Sequence, residues 1–211
     1  MTTYVIRVPG GTPAGAAYLD IETTKVPTPE GFTLPSGEPL RRRWRITLAG
    51  IARDGLICLG QFEDEKEQLE WMGAILSGRF DNSPPITEVR YAATREFDEM
   101  ICRGRFTNAR RAHLPAPAFP AVPGAEELPW RNVYRDVAHR YEGRLTVHHP
   151  DRDWASENAA TGGAFLVHNL RDVAELVFWD RRTSLEALPW LGHILMNFDD
   201  AERQILASRV R

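Results

Sequence analysis

Apolar and polar positions alternate along the chain in two distinct rhythms. Residues 16–23 read Ala-Ala-Tyr-Leu-Asp-Ile-Glu-Thr, an apolar run suited to a central strand but broken twice by acids. Residues 25–43 hold four prolines and three arginines and predict a long loop. WRITLAGIARDGLICLGQF (44–62) contains two apolar runs joined at Arg53-Asp54-Gly55, where the Asp-Gly pair favours a tight hairpin between a second and a third strand. From Asp64 the period changes to that of a helix: DEKEQLEWMGAIL sets Leu69, Met72 and Leu76 on one side, with acids in the first turn that suit the helix dipole. ITEVRYAA (86–93) returns to alternation and predicts a fourth strand.

The later chain is less regular. EFDEMICRGRF begins a helix, and 112–129, with five prolines, reads as an irregular connector. A helix around Trp130 to Tyr141 and a fifth strand, GRLTVHH (143–149), are expected next. FLVHNLRDVAELVFW is the most periodic late segment, a helix with Leu170, Val173, Leu176 and Val177 on one side. FDDAERQILASRV, in the tail from Thr183, is a last amphipathic stretch that would pack back on the body. Hairpins make antiparallel neighbours and helical crossovers make parallel ones, so this order predicts an α/β fold with a mixed sheet.

Composition narrows the picture. A chain of 211 residues that is 43% hydrophobic suits one core, so a single domain is expected. No run approaches the roughly 18 apolar residues of a membrane span, and MTTYVIRVPGG lacks the basic start and apolar stretch of a signal peptide. A cytoplasmic protein without membrane contact is the expectation. Cys58 and Cys102 show neither C-x-x-C nor zinc spacing, which points away from a disulfide framework or a structural zinc. The net charge of −3 is not that of a protein with a broad nucleic-acid-binding surface. The positive charge is nonetheless clustered, at Arg41, Arg42, Arg43 and Arg45 and again at Arg103, Arg105, Arg110 and Arg111. Either cluster is a solvated face or one wall of a local basic groove.

The acids at 20 and 22 change the picture most. Side chains two apart in a strand share a face, so Asp20 and Glu22 project together while Leu19 and Ile21 point the other way. Such a triplet on an edge strand is a polar solvent face. The apolar flanks here read instead as a buried strand, where adjacent carboxylates are costly unless a hard divalent cation takes oxygen ligands from both. Asp98, in EFDEMI, falls in the first turn of a helix, where an acid also serves as a cap or dipole partner. Asp172 lies four residues after His168, which places both on one helical face, as a surface pair or as part of a site.

Taken together, YLDIETT, ATREFDEMI and HNLRDVAEL resemble, in this order, the three motifs of the DEDD superfamily of 3′→5′ exonucleases, the DnaQ-like group. The resemblance covers about residues 16–182 and is nearest the branch that includes family B polymerase exonucleases and YprB-like proteins. It implies a ribonuclease H-like three-layer fold: a mixed sheet of three antiparallel N-terminal strands plus parallel strands, flanked by helices; 183–211, beyond the resemblance, is expected to be a helical tail. It implies Asp20, Glu22, Asp98 and Asp172 as ligands of two Mg²⁺ or Mn²⁺ ions, His168 as general base, and 3′ ends of single-stranded DNA or RNA as substrate. Two ions about 3.5–4 Å apart suit phosphodiester hydrolysis, one at the attacking water and one at the leaving oxygen. A neutral imidazole with a pKa of about 6.5 suits proton removal from that water. Two positions depart from the pattern. Thr94 stands where the second motif often carries Asn, and His168 has the spacing the family uses for Tyr.

A ribonuclease H-like endonuclease shares the same carboxylates, and an inactive module of this fold would bind or assemble without cutting. Asp151 and Asp153 sit beside Pro150 in a loop, and adjacent His148 and His149 would face opposite sides of a strand. Trp44, next to the arginine cluster, is a candidate platform for stacking an unpaired base.

Overall fold

The computed structural model describes residues 2–7, 14–28, 30, 33, 36–39, 41–92, 102 and 128–133, and residues 169, 170, 172–174, 176, 177 and 180. Its centre is β2 (Ala16–Pro27), which pairs antiparallel with β3 (Arg42–Arg53) and parallel with β5 (Glu88–Tyr91). β4 (Leu56–Gln61) continues beyond β3, β1 (Thr2–Arg7) closes that edge, and β6 (Trp130–Asn132) lies beyond β5. The result is a mixed six-stranded sheet in the order β1-β4-β3-β2-β5-β6. The α/β expectation with antiparallel early strands and a parallel continuation is met.

The β3–β4 hairpin turns at Asp54 and Gly55, whose φ values of 43° and 78° are the positive pair that a two-residue primed turn requires. Helix α1 (Glu65–Leu76) starts where the acids predict. Asp64 caps it by accepting from the Lys66 amide at 3.0 Å, and Glu65 and Glu67 occupy the first turn. Leu69, Met72, Ile75 and Leu76 of α1 pack in one cluster with Ala17, Leu19 and Ile21 of β2, Ala49 and Ile51 of β3, and Val89 of β5. The opposite face carries Tyr18, Asp20 and Glu22. There the described residues of the late segment are helical, with Leu170, Val173, Leu176 and Val177 buried as their spacing predicts. Helices therefore flank the sheet on both faces. Among the described residues, no helix is long and apolar enough to cross a membrane.

Several expectations need correction. Trp130–Asn132 is a strand rather than the start of a helix, because β5 offers an open parallel edge that residues 130–132 fill. Val89 N donates to Pro129 O at 2.9 Å, and Val133 N to Tyr91 O at 2.8 Å. β1, given no element from its sequence, pairs with β4 from Thr2↔Gln61 to Arg7↔Leu56. The loop expected over 25–43 is shorter, since β2 runs to Pro27 and β3 begins at Arg42. The strand expected at 143–149 and the tail from 183 lie outside the described residues.

Arg53, 1% exposed, ties the hairpin to the end of α1. It donates to Ile75 O at 2.5 Å, to Pro84 O at 2.6 Å and, from Nε and Nη2, to Asp54 Oδ2 at 2.9 and 2.6 Å. A cation at a helix C-terminus with its hydrogen bonds satisfied is favourable. Arg53→Ala leaves the buried Ile75 carbonyl and the part-buried Pro84 carbonyl without this donor, and a loss of about 3 kcal/mol is expected in denaturant unfolding, with Arg53→Lys intermediate.

Cys58 is buried in the same core. Burial first, and then the negative charge of Asp81, push its thiol up to about 12. At pH 8 this thiol is expected to resist alkylation in the folded chain and to react once the chain is unfolded. The folded state holds this proton more tightly than the unfolded one. The contribution is therefore complete below the ordinary thiol value of about 8.5 and declines as pH rises from there toward about 12.

Candidate metal centre

Three carboxylates come together on the face of the sheet opposite α1. Asp20 and Glu22 project from β2 and Asp172 from the late helical segment, and one oxygen of each lies within 4.8 Å of the others. All three are half-buried. Asp98 and His168, expected in the same site, lie outside the described residues, as do Asp151, Asp153, His148 and His149.

The local sequence explains how Asp172 reaches β2. Gly50 is the register partner of Asp20 on β3, so an absent side chain faces the incoming helix directly beside the carboxylate. A Cβ built at Gly50 would stand 2.2 Å from Asn169 Oδ1 and 2.7 Å from Val173 Cγ2. Fully buried Asn169 occupies that space and donates from Nδ2 to Asp20 Oδ2 at 2.6 Å. Asn169 and Asp172 are three apart and share a helical face, so one side chain orients the Asp20 carboxylate while the other approaches it.

Glu22 is set by a second device. β2 pairs Glu22 with Leu48 but Thr23 with Ile46, which leaves Thr47 as an extra residue in β3. This bulge resets the alternation. Ile46 and Ala49 are three apart in one strand and yet both face α1. Thr47 Oγ1 donates to the Glu22 carbonyl at 3.2 Å. On the far side of β3, past the end of β4, the buried Glu65 carboxylate accepts from Ile46 N at 3.1 Å and pairs with Arg43. The first turn of α1 therefore satisfies the bulged strand directly behind Glu22.

A third polar group lies farther along β2. Tyr18 and Arg90 are register partners on β2 and β5, and both bond to Asp180 of the late segment. Gly50, Thr47, Tyr18, Arg90 and Asp180 carry no motif signal as site residues in the sequence, and Asn169 only adjoins His168 in HNLRDVAEL. Gly50, a glycine inside an apolar strand run, was the one available signal of a close approach.

Two arginines of the first cluster are committed to the fold. Arg43 pairs with Glu65, and Arg45 donates to Glu63 O at 3.1 Å. Trp44 is no open platform, because it packs against the core cluster and the Lys25 ammonium lies over its ring at 4.8 Å. No protein-family model, curated protein or solved structure matches this chain.

Proposed function

We propose that this protein is a metal-dependent 3′→5′ exonuclease of the ribonuclease H-like type, acting on single-stranded DNA or RNA. The observation that carries the reading is the convergence of Asp20, Glu22 and Asp172, from two ends of the chain, on one patch. The strand order adds support: β4, β3 and β2 are antiparallel, and β5 and β6 continue in parallel from the strand that bears the first two acids. An all-oxygen, half-buried donor set fits a hard divalent ion such as Mg²⁺ or Mn²⁺, and it does not suggest a soft thiolate metal.

Asp20, Glu22 and Asp172 would hold the ions, joined through the family resemblance by Asp98. Bound divalent ions supply charge stabilisation at the scissile phosphate and lower the pKa of an attacking water. Asn169 keeps one Asp20 oxygen engaged and so limits how that carboxylate can turn. By the same resemblance, an imidazole nitrogen of His168 removes the proton from the attacking water.

The test is digestion of 5′-labelled single strands with Mg²⁺ or Mn²⁺, run beside Asp20→Ala and Asp172→Ala. A ladder shortening from the 3′ end, dependent on metal and lost in both variants, is the expected result. Internal cuts would move the assignment to an endonuclease. Equal behaviour of parent and variants, with or without metal, would defeat the nuclease reading and leave a binding module.

A further inference from the structure

Beside the carboxylates, on the same face of the sheet, lies a buried polar group with no part in holding a cation. The Tyr18 hydroxyl donates to Asp180 Oδ2 at 2.8 Å. Arg90 Nη1 donates to the same oxygen at 2.7 Å and to the Tyr18 hydroxyl oxygen at 3.0 Å. Arg90 is itself held by Glu88, whose Oε2 accepts from Nε at 2.8 Å, and its guanidinium lies over the Tyr18 ring at 5.6 Å. Tyr18 is fully buried, and the Asp180 side chain is 6% exposed. Burial, and then the Asp180 carboxylate, raise the Tyr18 hydroxyl well above its ordinary value, so it stays a donor throughout the working range.

The placement of this group gives it a purpose. Tyr18 is two residues before Asp20 and on the same face of β2. Asp180 follows Asp172 by eight residues, which is roughly 12 Å along the axis of an ideal helix. The late helical segment is thus pinned to β2 twice, by Asn169 on Asp20 at one end and by Asp180 on Tyr18 and Arg90 at the other. Apolar burial of Leu170, Val173 and Val177 holds the segment on the sheet but is non-directional and tolerates sliding. A slip of one residue moves a helical side chain by about 1.5 Å and swings it by about 100°, whereas ligand distances tolerate about 0.2 Å.

We propose that Tyr18, Arg90 and Asp180 form a clamp that fixes the axial position and rotation of the segment bearing Asp172, which makes them positioning residues for the carboxylate centre. Arg90 extends the clamp to β5, the strand that leads in sequence toward Asp98. The inference rests on the metal-centre reading above, and its test separates the two.

Mn²⁺ affinity is measured by calorimetric titration of the metal-free parent, Tyr18→Phe, Asp180→Asn and the double variant, with the melting temperature of each metal-free protein taken in parallel. Ile75→Val, in the core on the α1 side, serves as a control that destabilises without touching the clamp. Each single variant is expected to weaken Mn²⁺ binding about 10-fold, the scale of losing an outer partner of a ligand. The double variant should be no weaker than the worse single, since both remove one shared contact. Ile75→Val should lower the melting temperature and leave the affinity unchanged. Clamp variants that bind Mn²⁺ as the parent does, or that lose affinity only as far as the control, overturn the clamp and spare the metal centre. A parent that binds no Mn²⁺ overturns both.

Discussion

Glu22→Gln is expected to raise the melting temperature of the metal-free protein and, at the same time, to abolish most of the stabilisation that added Mn²⁺ provides. Three carboxylates with oxygens within 4.8 Å of one another repel when no cation lies between them. For half-exposed groups at this separation, each like-charged pair costs about 1 kcal/mol. Neutralising Glu22 removes two such pairs, about 2 kcal/mol, which corresponds to a rise of about 4–8 °C for a chain of this size. The amide keeps the shape of the side chain, so the gain is electrostatic. With Mn²⁺ present the sign reverses, because a ligand that binds only the folded state stabilises it in proportion to its affinity. Hydrolysis of a labelled single strand should fall about 10³-fold, equivalent to several kcal/mol of lost transition-state charge stabilisation. Scanning calorimetry with EDTA and with Mn²⁺ reads both signs in one experiment. A metal-free melting temperature that falls, with the Mn²⁺ shift intact, would mean that Glu22 holds a structural bond and no cation.

How far the site was legible in the sequence depends on how local each determinant is. Asp20 and Glu22 share a face by strand geometry alone, and the apolar residues around them mark the strand as buried. The Asp54-Gly55 turn and the Asp64 cap are fixed by the residues that form them. Leu170, Val173 and Val177 carry the buried stripe that brings Asp172 inward. Each of these signals lies within one segment. The elements that escaped are those defined by a partner. Three residues at Trp130–Asn132 do not specify a strand until β5 presents a free edge, and Thr2–Arg7 becomes a strand only because β4 is there to pair with it.

The same reasoning separates ligands from their supports. A carboxylate at a motif position announces itself, whereas the Thr47 bulge depends on Glu65, on another element, to accept from the neighbouring Ile46 amide. Tyr18, Arg90 and Asp180 come from three separate segments and share no spacing rule. Asn169 stands next to His168 in the motif, yet its bond to Asp20 spans most of the chain. Trp44 misled for the converse reason. Its neighbours in sequence are arginines, while its neighbours in space are the core and Lys25.

Gly50→Ala is expected to lower activity on the order of 100-fold without removing any polar group from the site. The new Cβ would lie 2.2 Å from Asn169 Oδ1 and 2.7 Å from Val173 Cγ2, far inside van der Waals contact. β3 is fixed between β2 and β4, so the late helical segment must retreat. Asn169 then loses Asp20, and Asp172 withdraws from Asp20 and Glu22. A displacement near 1 Å at reacting geometry costs about 100-fold, and the overpacking itself about 1–3 kcal/mol of stability. Gly60→Ala supplies the comparison. Its Cβ would press on the Trp71 ring at 2.8 Å, on the side where α1 packs, and so disturb a similar amount of packing away from the carboxylates. Both variants should melt earlier than the parent, but only Gly50→Ala should lose activity and Mn²⁺ affinity per folded molecule. Equal losses in the two variants would mean that activity follows overall stability, and that the approach of Asn169 and Asp172 over Gly50 does not set the geometry of the centre.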